Sequence, residues 1–332
     1  MNRAIRTIRT TFARTTLRTT ALALAVAAAG PAVLVLGEAP AQATPAGDAA
    51  RTDIGKTLGF VPQFFLKFPE GLLPGAWDEM KSLQLNPNTA LPGRSKELIG
   101  LAVAAQVPCR YCIVAHTEFA KLNGASDAEI GEAVAMAAIT RHFSTFLNGI
   151  QTDEAKFRGE VAKIIANVKA AAAAKAPAPK PVSVVDGQTA LAEITQSLGF
   201  APEFLRRLPD TARSGAWRQM RDVQLNPATA VSGKNKELIG LAVASQVPCR
   251  YCIIAHTEFA KLNGATDAEI TEAVAMASLT RDLSTVLNGM QVDEGQFHKD
   301  VEHLVKGATA AAAAAKKDKK DKGDQKEHTA RR

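Results

Sequence analysis

This 332-residue chain is poor in cysteine, tryptophan, tyrosine and β-strand signals. It contains four cysteines, two tryptophans and two tyrosines. No run alternates apolar with polar residues, which argues against a sheet with one solvent-facing side. Alanine, leucine, glutamate and lysine, which favour helices, dominate the periodic segments instead. The sequence therefore predicts an all-α fold.

The chain also has little net charge between its two ends. The formal net charge is +7, but the first 43 residues carry five arginines and one glutamate, and residues 308–332 carry eight basic against four acidic residues. The body between these ends is close to neutral, with a net charge near −1. A groove that binds nucleic acid needs a basic surface, so we expect no nucleic-acid partner.

No hydrophobic run has the length of a membrane span. Residues 21–36 are apolar, follow five arginines and precede the small residues Ala41-Gln42-Ala43. This layout predicts a secretory signal peptide at residues 1–43 and an exported protein, periplasmic or secreted. The run falls short of the roughly 20 residues that span a bilayer, so we expect no stable membrane insertion after cleavage. An uncleaved membrane anchor and an organellar transit peptide are the alternatives.

The rest of the chain is an internal repeat with an offset of 140 residues. Lys96–Ala137 returns as Lys236–Ala277 with 38 of 42 positions identical. Alternating prolines near residues 175–181 predict an extended spacer, and the Ala- and Lys-rich end cannot bury a core. We predict one domain at 44–168, a linker at 169–185, a second domain at 186–307 and a disordered tail at 308–332.

Local signals predict the first helices of each repeat. Glycine and proline break residues 54–80 into short helical segments, whose apolar residues we interpret as core rather than substrate contacts. Ser95 is a candidate N-cap for the next helix. Pro108 suits the first turn of the helix after that, and Gly124 suits its end.

The third helix of each repeat has the spacing of a capping box. Ser126 with Glu129, and Thr266 with Glu269, predict helices that reach about residues 147 and 287. In the first copy this helix is apolar on more than one side, so it needs more than one neighbour. We therefore expect it to pack at an interface between repeats or between chains. The apolar residues are Ile130, Val134, Ile139, Phe143, Phe146 and Ile150.

All candidate chemistry falls within the repeated stretch. The order E-x11-C-x2-C-x3-H occurs in both copies and uses every cysteine in the chain. The motif residues are Glu97, Cys109, Cys112 and His116 in the first copy and Glu237, Cys249, Cys252 and His256 in the second.

The spacing of the motif favours reactive sulfur. On a helix that begins near Pro108, Cys109, Cys112 and His116 share one face. The helix start and the CxxC geometry both favour a thiolate. Glu97 lies on the preceding helix, and antiparallel packing could bring its carboxylate beside the imidazole. A carboxylate that orients a histidine, which takes a proton from a thiol, is the arrangement of an activated nucleophile.

Two other interpretations of the motif stay open. A CxxC pair in an exported protein can be a structural disulfide, although so short a loop constrains little of the unfolded chain. Two cysteines, a histidine and a glutamate can also bind a metal, although ligands at i, i+3 and i+7 on one helix converge poorly. Either would make the protein a non-catalytic helical module. The sequence predicts no cofactor.

The chain resembles the AhpD-like (alkylhydroperoxidase D) branch of the carboxymuconolactone decarboxylase superfamily. The resemblance rests on the eight motif residues in K-E-L-I-G-L-A-V and P-C-x-Y-C-x-x-A-H contexts, and on the lead-ins L-G-F-V-P-Q-F-F and L-G-F-A-P-E-F-L. It implies two tandem AhpD-like helical domains, packed as a pseudo-symmetric pair, in a protein that forms homo-oligomers. One departure is the tyrosine at positions 111 and 251, where the best-known AhpD proteins have a histidine.

The resemblance also implies a function, a thiol-dependent peroxidase or disulfide reductase in antioxidant defence. The second cysteine of each pair would attack the peroxide and the first would resolve it as a disulfide, with Glu–His pairs as proton relays. A thiol or dithiol donor of unknown identity would reduce the disulfide. The decarboxylases of the superfamily have no need for paired cysteines. The four histidines outside the motif are expected at the surface or in packing; they are His142, His298, His303 and His328.

Overall fold

The structure, a computed structural model, describes residues 43–175 and 183–330, with side chains up to residue 317. These ranges contain α-helices, short 3-10 and π-helical turns and no β-strand, which confirms the predicted all-α class. The predicted signal peptide, the prolines of the predicted spacer and the side chain of His328 lie outside the described parts.

The α-helices follow one another in the same order in both repeats. They are α1 Pro45–Leu58, α2 Leu73–Glu79, α3 Gly93–Gln106, α4 Arg110–Leu122, α5 Asp127–Gly149, α6 Glu154–Ala173, α7 Gly187–Leu198, α8 Glu203–Arg206, α9 Asp210–Gln219, α10 Gly233–Gln246, α11 Arg250–Leu262, α12 Asp267–Gly289 and α13 Glu294–Ala330. A 3-10 turn at Gln63–Lys67 takes the place of α8 in the first repeat, and π-helical turns at Met80–Gln84 and Met220–Gln224 follow α2 and α9.

Two predicted helix starts are wrong by a few residues. Ser95 is not the cap of α3, because Pro92 already has the extended backbone of an N-cap and Ser95 is buried in the first turn. Pro108 precedes α4 rather than starting it, since Cys109 is the N-cap. In the second repeat Ser232 caps α10 through the backbone N–H of Asn235.

The signals for the other helix ends are confirmed. Both bonds of the capping box are present at the start of α5 and again at the start of α12. Gly124 follows α4 with φ of 81°, a left-handed conformation that glycine adopts without strain. Helix α6 follows Asp153, whose side chain accepts the backbone N–H of Lys156 as an N-cap.

The centre of the molecule consists of α3 and α10, which pack against each other. Every residue of α3 from Ser95 to Ala104 is buried, as expected for a helix with neighbours on all sides. Helix α5 packs on α10 of the other repeat, and α12 packs on α3 in the same way. This confirms the expectation that the third helix of the repeat lies at a repeat–repeat interface.

The outer helices also pack on the opposite repeat. Helix α13, from the second repeat, packs on α4 of the first, and α6 of the first packs on α11 of the second. Each contact therefore occurs twice with the roles of the repeats reversed, which is the pattern of a pseudo-twofold axis. The described residues form one compact unit, in which α4 and α11 each pack against a helix of the opposite repeat.

The predicted disordered tail is helical as far as the structure describes it. Helix α13 continues from Glu294 to Ala330 and includes the alanines at 308 and 310–315. Alanine has the highest helix propensity of the common residues, so this stretch can stay helical without burying a core. Among the residues described, no helix has the length and apolar character needed to cross a membrane.

A loop of the second repeat is fixed by a carboxylate of the first. Glu132 on α5 accepts the backbone N–H groups of Ala230 at 2.7 Å and Val231 at 2.9 Å. Partial burial disfavours the charge, but these hydrogen bonds outweigh burial, so the pKa of Glu132 lies below its ordinary value. Glu272 on α12 accepts the backbone N–H of Ala90 in the corresponding place.

Glu132→Gln should therefore reduce both the stability of the fold and its acid sensitivity. A carboxyl with a lowered folded-state pKa stabilises the fold above its unfolded pKa, and this contribution is lost as the pH falls through the folded value. The free energy of unfolding, measured in urea at a series of pH values, should be lower in the variant at neutral pH and fall less steeply below about pH 4.5. Glu79→Gln, at an exposed position on α2, should reproduce the parent profile; equal profiles for all three proteins would contradict the assignment.

Candidate redox sites

Each disulfide occupies the first turn of a helix. Cys109 and Cys112 are bonded to each other with their Cα atoms 5.3 Å apart, and Cys249 and Cys252 have the same arrangement. Cys109 is the N-cap of α4, and its sulfur accepts the backbone N–H of Cys112 at 3.2 Å. A sulfur in this position lies at the positive end of the helix dipole, which favours its anionic form when the disulfide is reduced.

The two cysteines of a pair differ in access. Cys109 and Cys249 are fully buried, whereas Cys112 and Cys252 keep 5% and 4% of their surface exposed. Cys112 lines a cavity together with His116, and Cys252 lines another with His256. A small molecule that enters either cavity therefore meets the second cysteine of the pair.

Glu97 and His116 meet as the sequence suggests. The Nδ1 atom of His116 lies 2.7 Å from Oε2 of Glu97, and the corresponding atoms of His256 and Glu237 are 2.6 Å apart. Because an ionised carboxylate only accepts hydrogen bonds, Nδ1 is the nitrogen that carries the proton. The lone pair of the neutral imidazole is then on Nε2, which can accept a proton.

The carboxylate of this pair is buried and needs further donors. Gln84 donates from Nε2 to Glu97 Oε1 at 3.1 Å, and Gln224 does the same to Glu237. Gln84 ends a π-helical turn, a rare geometry that is frequent at functional sites. Without these partners a buried carboxylate would be costly to the fold.

A buried lysine holds the segment that carries the glutamine. Lys96 has no exposed surface, and its Nζ donates to the carbonyl oxygens of Leu83 and Asn86, both at 2.7 Å. It also lies 3.3 Å from Glu272 of the other repeat. In the second copy Lys236 donates to Asn226 O at 2.7 Å, and burial lowers the pKa of this lysine.

A glycine provides the space for the imidazole. A Cβ atom built at Gly100 would overlap the ring of His116, and the same holds for Gly240 and His256. Gly100 follows Glu97 by three positions on α3, so both face α4. The K-E-L-I-G segment therefore combines three functions in five consecutive residues. Its lysine binds the carbonyl groups of the preceding loop, its glutamate provides the carboxylate, and its glycine leaves space for the imidazole.

The opposite repeat completes each site. Thr280 of α12 places Oγ1 3.4 Å from Nε2 of His116, and Thr140 of α5 lies 3.3 Å from Nε2 of His256. Thr280 also lines the cavity beside Cys112. Both ring nitrogens of each histidine thus have a neighbour, one from its own repeat and one from the other.

The tyrosine within each CxxC joins the disulfide helix to the opposite repeat by a hydrogen bond. Tyr111 is buried, and its hydroxyl donates to the carbonyl of Val292 at 2.6 Å. Its ring lies edge-on to Phe297 on α13, with centroids 5.2 Å apart. Tyr251 donates to the carbonyl of Thr152 in the same way. The tyrosine is thus a structural anchor at the position where the resemblance leads one to expect a histidine.

The predicted site residues come together within each copy, but several partners were missed. Those partners are Gln84, Lys96, Gly100, Thr280 and Tyr111, with Gln224, Lys236, Gly240, Thr140 and Tyr251 in the second copy. The repetition of Q-L-N-P at 84–87 and 224–227 is the signal that could have identified the glutamines. The contacts of the threonines and tyrosines join positions 99 to 181 residues apart and leave no local signal.

Other candidate residues lie away from the sites. His142, His298 and His303 are exposed, and His303 stacks on Phe60. Glu118 and Lys121 form an exposed ion pair at 3.0 Å. Within residues 43–175 and 183–317, no three His, Cys, Asp or Glu side chains form a cluster suited to a metal ion. The apolar lead-in packs in the core as predicted, and some of its residues also line the cavity at Cys112.

Fold and sites define an all-α protein with two disulfide-containing sites related by internal duplication. The sequence model of the carboxymuconolactone decarboxylase family matches residues 72–152 and 214–294. The chain belongs to this family and carries its domain twice.

One curated protein and one solved structure are partly similar to this chain. A protein of Paracoccus denitrificans with the name "Uncharacterized protein 4 in cox locus" is 32% identical over 84 residues, which is 24% of this chain and 76% of the relative. A solved structure from Burkholderia xenovorans LB400, named after gamma-carboxymuconolactone decarboxylase subunits, is 17% identical and has a TM-score of 0.47; the alignment covers 84% of this chain and all of that one.

Gly100→Ala should displace His116. The added methyl group overlaps the imidazole, so the ring must move away from Glu97. The NMR signals of the His116 ring nitrogens should shift, and the proton shared with Glu97 should lose its downfield resonance.

Gly131→Ala is the matched control, because Gly131 is an exposed helical position with open space around it. It should leave the ring signals unchanged and stabilise α5 by up to about 1 kcal/mol. Unchanged His116 signals in Gly100→Ala would contradict the described fit.

Tyr111→Phe should loosen the junction between the repeats. The substitution keeps the ring against Phe297 but leaves the carbonyl of Val292 without its donor. An unpaired buried polar group costs about 1–3 kcal/mol, and urea denaturation should show a loss of that size. Arg110→Gln, whose parent side chain is 77% exposed, should change the free energy of unfolding by less than about 0.5 kcal/mol. A Tyr111→Phe variant as stable as the parent would refute the anchoring role.

Proposed function

We propose that the protein is a thiol-dependent peroxidase with two redox sites per chain. In each site the CxxC pair alternates between dithiol and disulfide, and the Glu–His pair moves the proton. One observation carries the proposal: the accessible cysteine and the imidazole line one cavity, and that imidazole is held through Nδ1 by a buried carboxylate. The second site has the same arrangement.

The proposed reaction begins on Cys112. His116 takes the proton of the Cys112 thiol at Nε2, and the thiolate attacks one oxygen of the peroxide. The O–O bond breaks, the leaving alcohol or water receives the proton, and Cys112 becomes a sulfenic acid. Cys109 then attacks the Cys112 sulfur, water leaves, and the disulfide forms. An external thiol or dithiol, whose identity is open, supplies two electrons to restore the dithiol.

The position of Cys109 suits the resolving step. Its sulfur is buried, so peroxide reaches Cys112 first, and the helix start stabilises the Cys109 thiolate that attacks the sulfenic acid. The same stabilisation makes Cys109 a good leaving group when a donor thiol attacks Cys112. Capping and access therefore support different roles for two cysteines that are only three residues apart.

Two competing functions explain less of the site. A structural disulfide across three residues constrains little of the unfolded chain and needs no Glu–His pair beside it. A decarboxylase, the activity in the family name, needs no paired cysteines. We also propose that residues 1–43 direct export and that the chain forms homo-oligomers; the leader pattern and the family resemblance support these two points.

The roles of the two cysteines can be separated in full-length chains that carry Cys249→Ser and Cys252→Ser. In this background, adding Cys109→Ser should leave a Cys112 sulfenic acid that dimedone traps after one equivalent of hydrogen peroxide. Adding Cys112→Ser instead should give little adduct, because Cys109 does not reach the cavity. Equal labelling of the two variants, measured by mass spectrometry, would contradict the assignment.

The proton relay can be tested in the background that keeps Cys109 and Cys112. Glu97→Gln and His116→Ala should slow peroxide-dependent loss of the two thiols by about 100- to 10,000-fold, the usual range for general-base assistance. Glu118→Gln, which removes an exposed carboxylate from α4, is the matched control and should keep the parent rate. If the relay variants remain folded and react as fast as the control, the relay is wrong and the pair is structural.

A further inference from the structure

The two sites have cavities of unequal size although their motifs are nearly identical. The cavity beside Cys252 and His256 has a volume of about 460 Å³, whereas the cavity beside Cys112 and His116 has about 80 Å³. Pockets for organic ligands of moderate size occupy about 300–1,000 Å³. The second site reaches this range, and the first lies several-fold below it.

The difference also concerns the route to the surface. At the second site one cavity extends from Cys252 to Gly233 and Asn263. At the first site the equivalent residues Gly93 and Asn123 line a separate groove of about 580 Å³ that does not include Cys112. The inner cavity and the outer groove of the first site adjoin along shared lining residues, whereas one cavity spans both regions at the second site. The shared residues are Leu58, Gln84, Leu85, Phe119 and Leu304.

The two cavities differ in lining residues outside the motif. Phe65 and Phe68 line the first cavity, and the residues at the equivalent positions of the second repeat are Leu205 and Leu208, which do not line theirs. Two phenyl rings thus form part of the wall beside Cys112, whereas the corresponding leucines are not part of the wall beside Cys252. One difference has the opposite sense, because Phe143 lines the second cavity where Leu283 lines the first. The walls of both cavities are mostly apolar, and the histidine, the glutamine and the threonine of the site are polar groups in both. The second cavity is also lined by Lys169, Asn226, Glu237 and Asn263.

We propose that the second site reduces bulky apolar organic hydroperoxides, whereas the first is restricted to hydrogen peroxide and similarly small peroxides. This inference rests on the proposed peroxidase function and assigns its substrates to the two sites. An apolar wall offers favourable burial to the organic group of the substrate. A site with less space than the substrate must move packed side chains to admit it, which is costly in a dense core.

The chemistry is the same at both sites, and only the leaving group differs. At the second site the Cys252 thiolate attacks the terminal oxygen of the hydroperoxide, the O–O bond breaks, and the organic alcohol leaves with the proton from His256. Cys249 then forms the disulfide with release of water. The hydroperoxide is the only oxidant required, so the oxidation can be followed in chains reduced beforehand with dithiothreitol and freed of it.

The test uses two full-length variants that each retain one cysteine pair. Cys109→Ser/Cys112→Ser keeps the second site, and Cys249→Ser/Cys252→Ser keeps the first. Thiol loss is timed after addition of hydrogen peroxide or cumene hydroperoxide. The ratio of the cumene hydroperoxide rate to the hydrogen peroxide rate should be at least about tenfold higher at the second site, a size typical of discrimination by pocket shape. Equal ratios would overturn the division of substrates; no reaction with hydrogen peroxide at either site would refute the peroxidase function itself.

Exchange of the distinguishing residues provides a second test. In the variant that keeps the first site, Phe65→Leu/Phe68→Leu should raise the relative rate with cumene hydroperoxide toward that of the second site. In the variant that keeps the second site, Leu208→Phe should lower it. Hydrogen peroxide rates should stay close to those of the parents, which shows that the variants are folded. If neither exchange moves the ratio, the two phenyl rings do not set the specificity.

Discussion

The structure depends on two outer helices that each pack on the opposite repeat. Helix α13 of the second repeat covers the disulfide helix of the first, and α6 of the first covers that of the second. Tyr111 and Tyr251 each add a hydrogen bond across this contact. Both repeats therefore contribute to the burial of each disulfide helix, and each candidate redox site is formed by the two repeats together.

Burial of the Glu–His pair costs free energy, and the contacts that offset this cost also fix the position of the imidazole. A carboxylate removed from water must be fully hydrogen-bonded, and Glu97 receives donors from Gln84 and His116. Lys96 fixes the turn that carries Gln84, and Gly100 leaves room for the ring. Together these contacts hold the imidazole in one tautomer and one place, with Nε2 available for chemistry. They also explain why the K-E-L-I-G segment is the same in both repeats.

Local patterns predicted much of the fold, because helix ends are set by neighbouring residues. The capping boxes at Ser126 and Thr266 and the stop at Gly124 are examples. The prediction failed at Ser95, because the helix already begins at Gly93 after Pro92 and Ser95 lies within its first turn. The contact between Glu97 and His116 was predictable from antiparallel packing of successive helices.

What the sequence did not indicate is which repeat completes each site. With 38 of 42 residues identical in the two stretches, either copy of α5 or α12 would satisfy the same local pattern. The partner is decided by packing between distant segments, as for Thr280 and His116, which are 164 residues apart. The linings of the unequal cavities differ outside the motif, for example at Phe65 and Phe68, where the second repeat has leucines.

The most direct test of sites shared between repeats is a substitution in one repeat with a readout in the other. In the full-length chain, the rate of disulfide formation at each cysteine pair can be followed separately by peptide mass spectrometry after addition of hydrogen peroxide. Thr280→Val removes the hydroxyl beside Nε2 of His116, so oxidation of the Cys109–Cys112 pair should slow while the Cys249–Cys252 pair keeps its rate. If the substitution slows oxidation of the Cys249–Cys252 pair instead, or leaves the rates of both pairs unchanged from the parent, the account is contradicted.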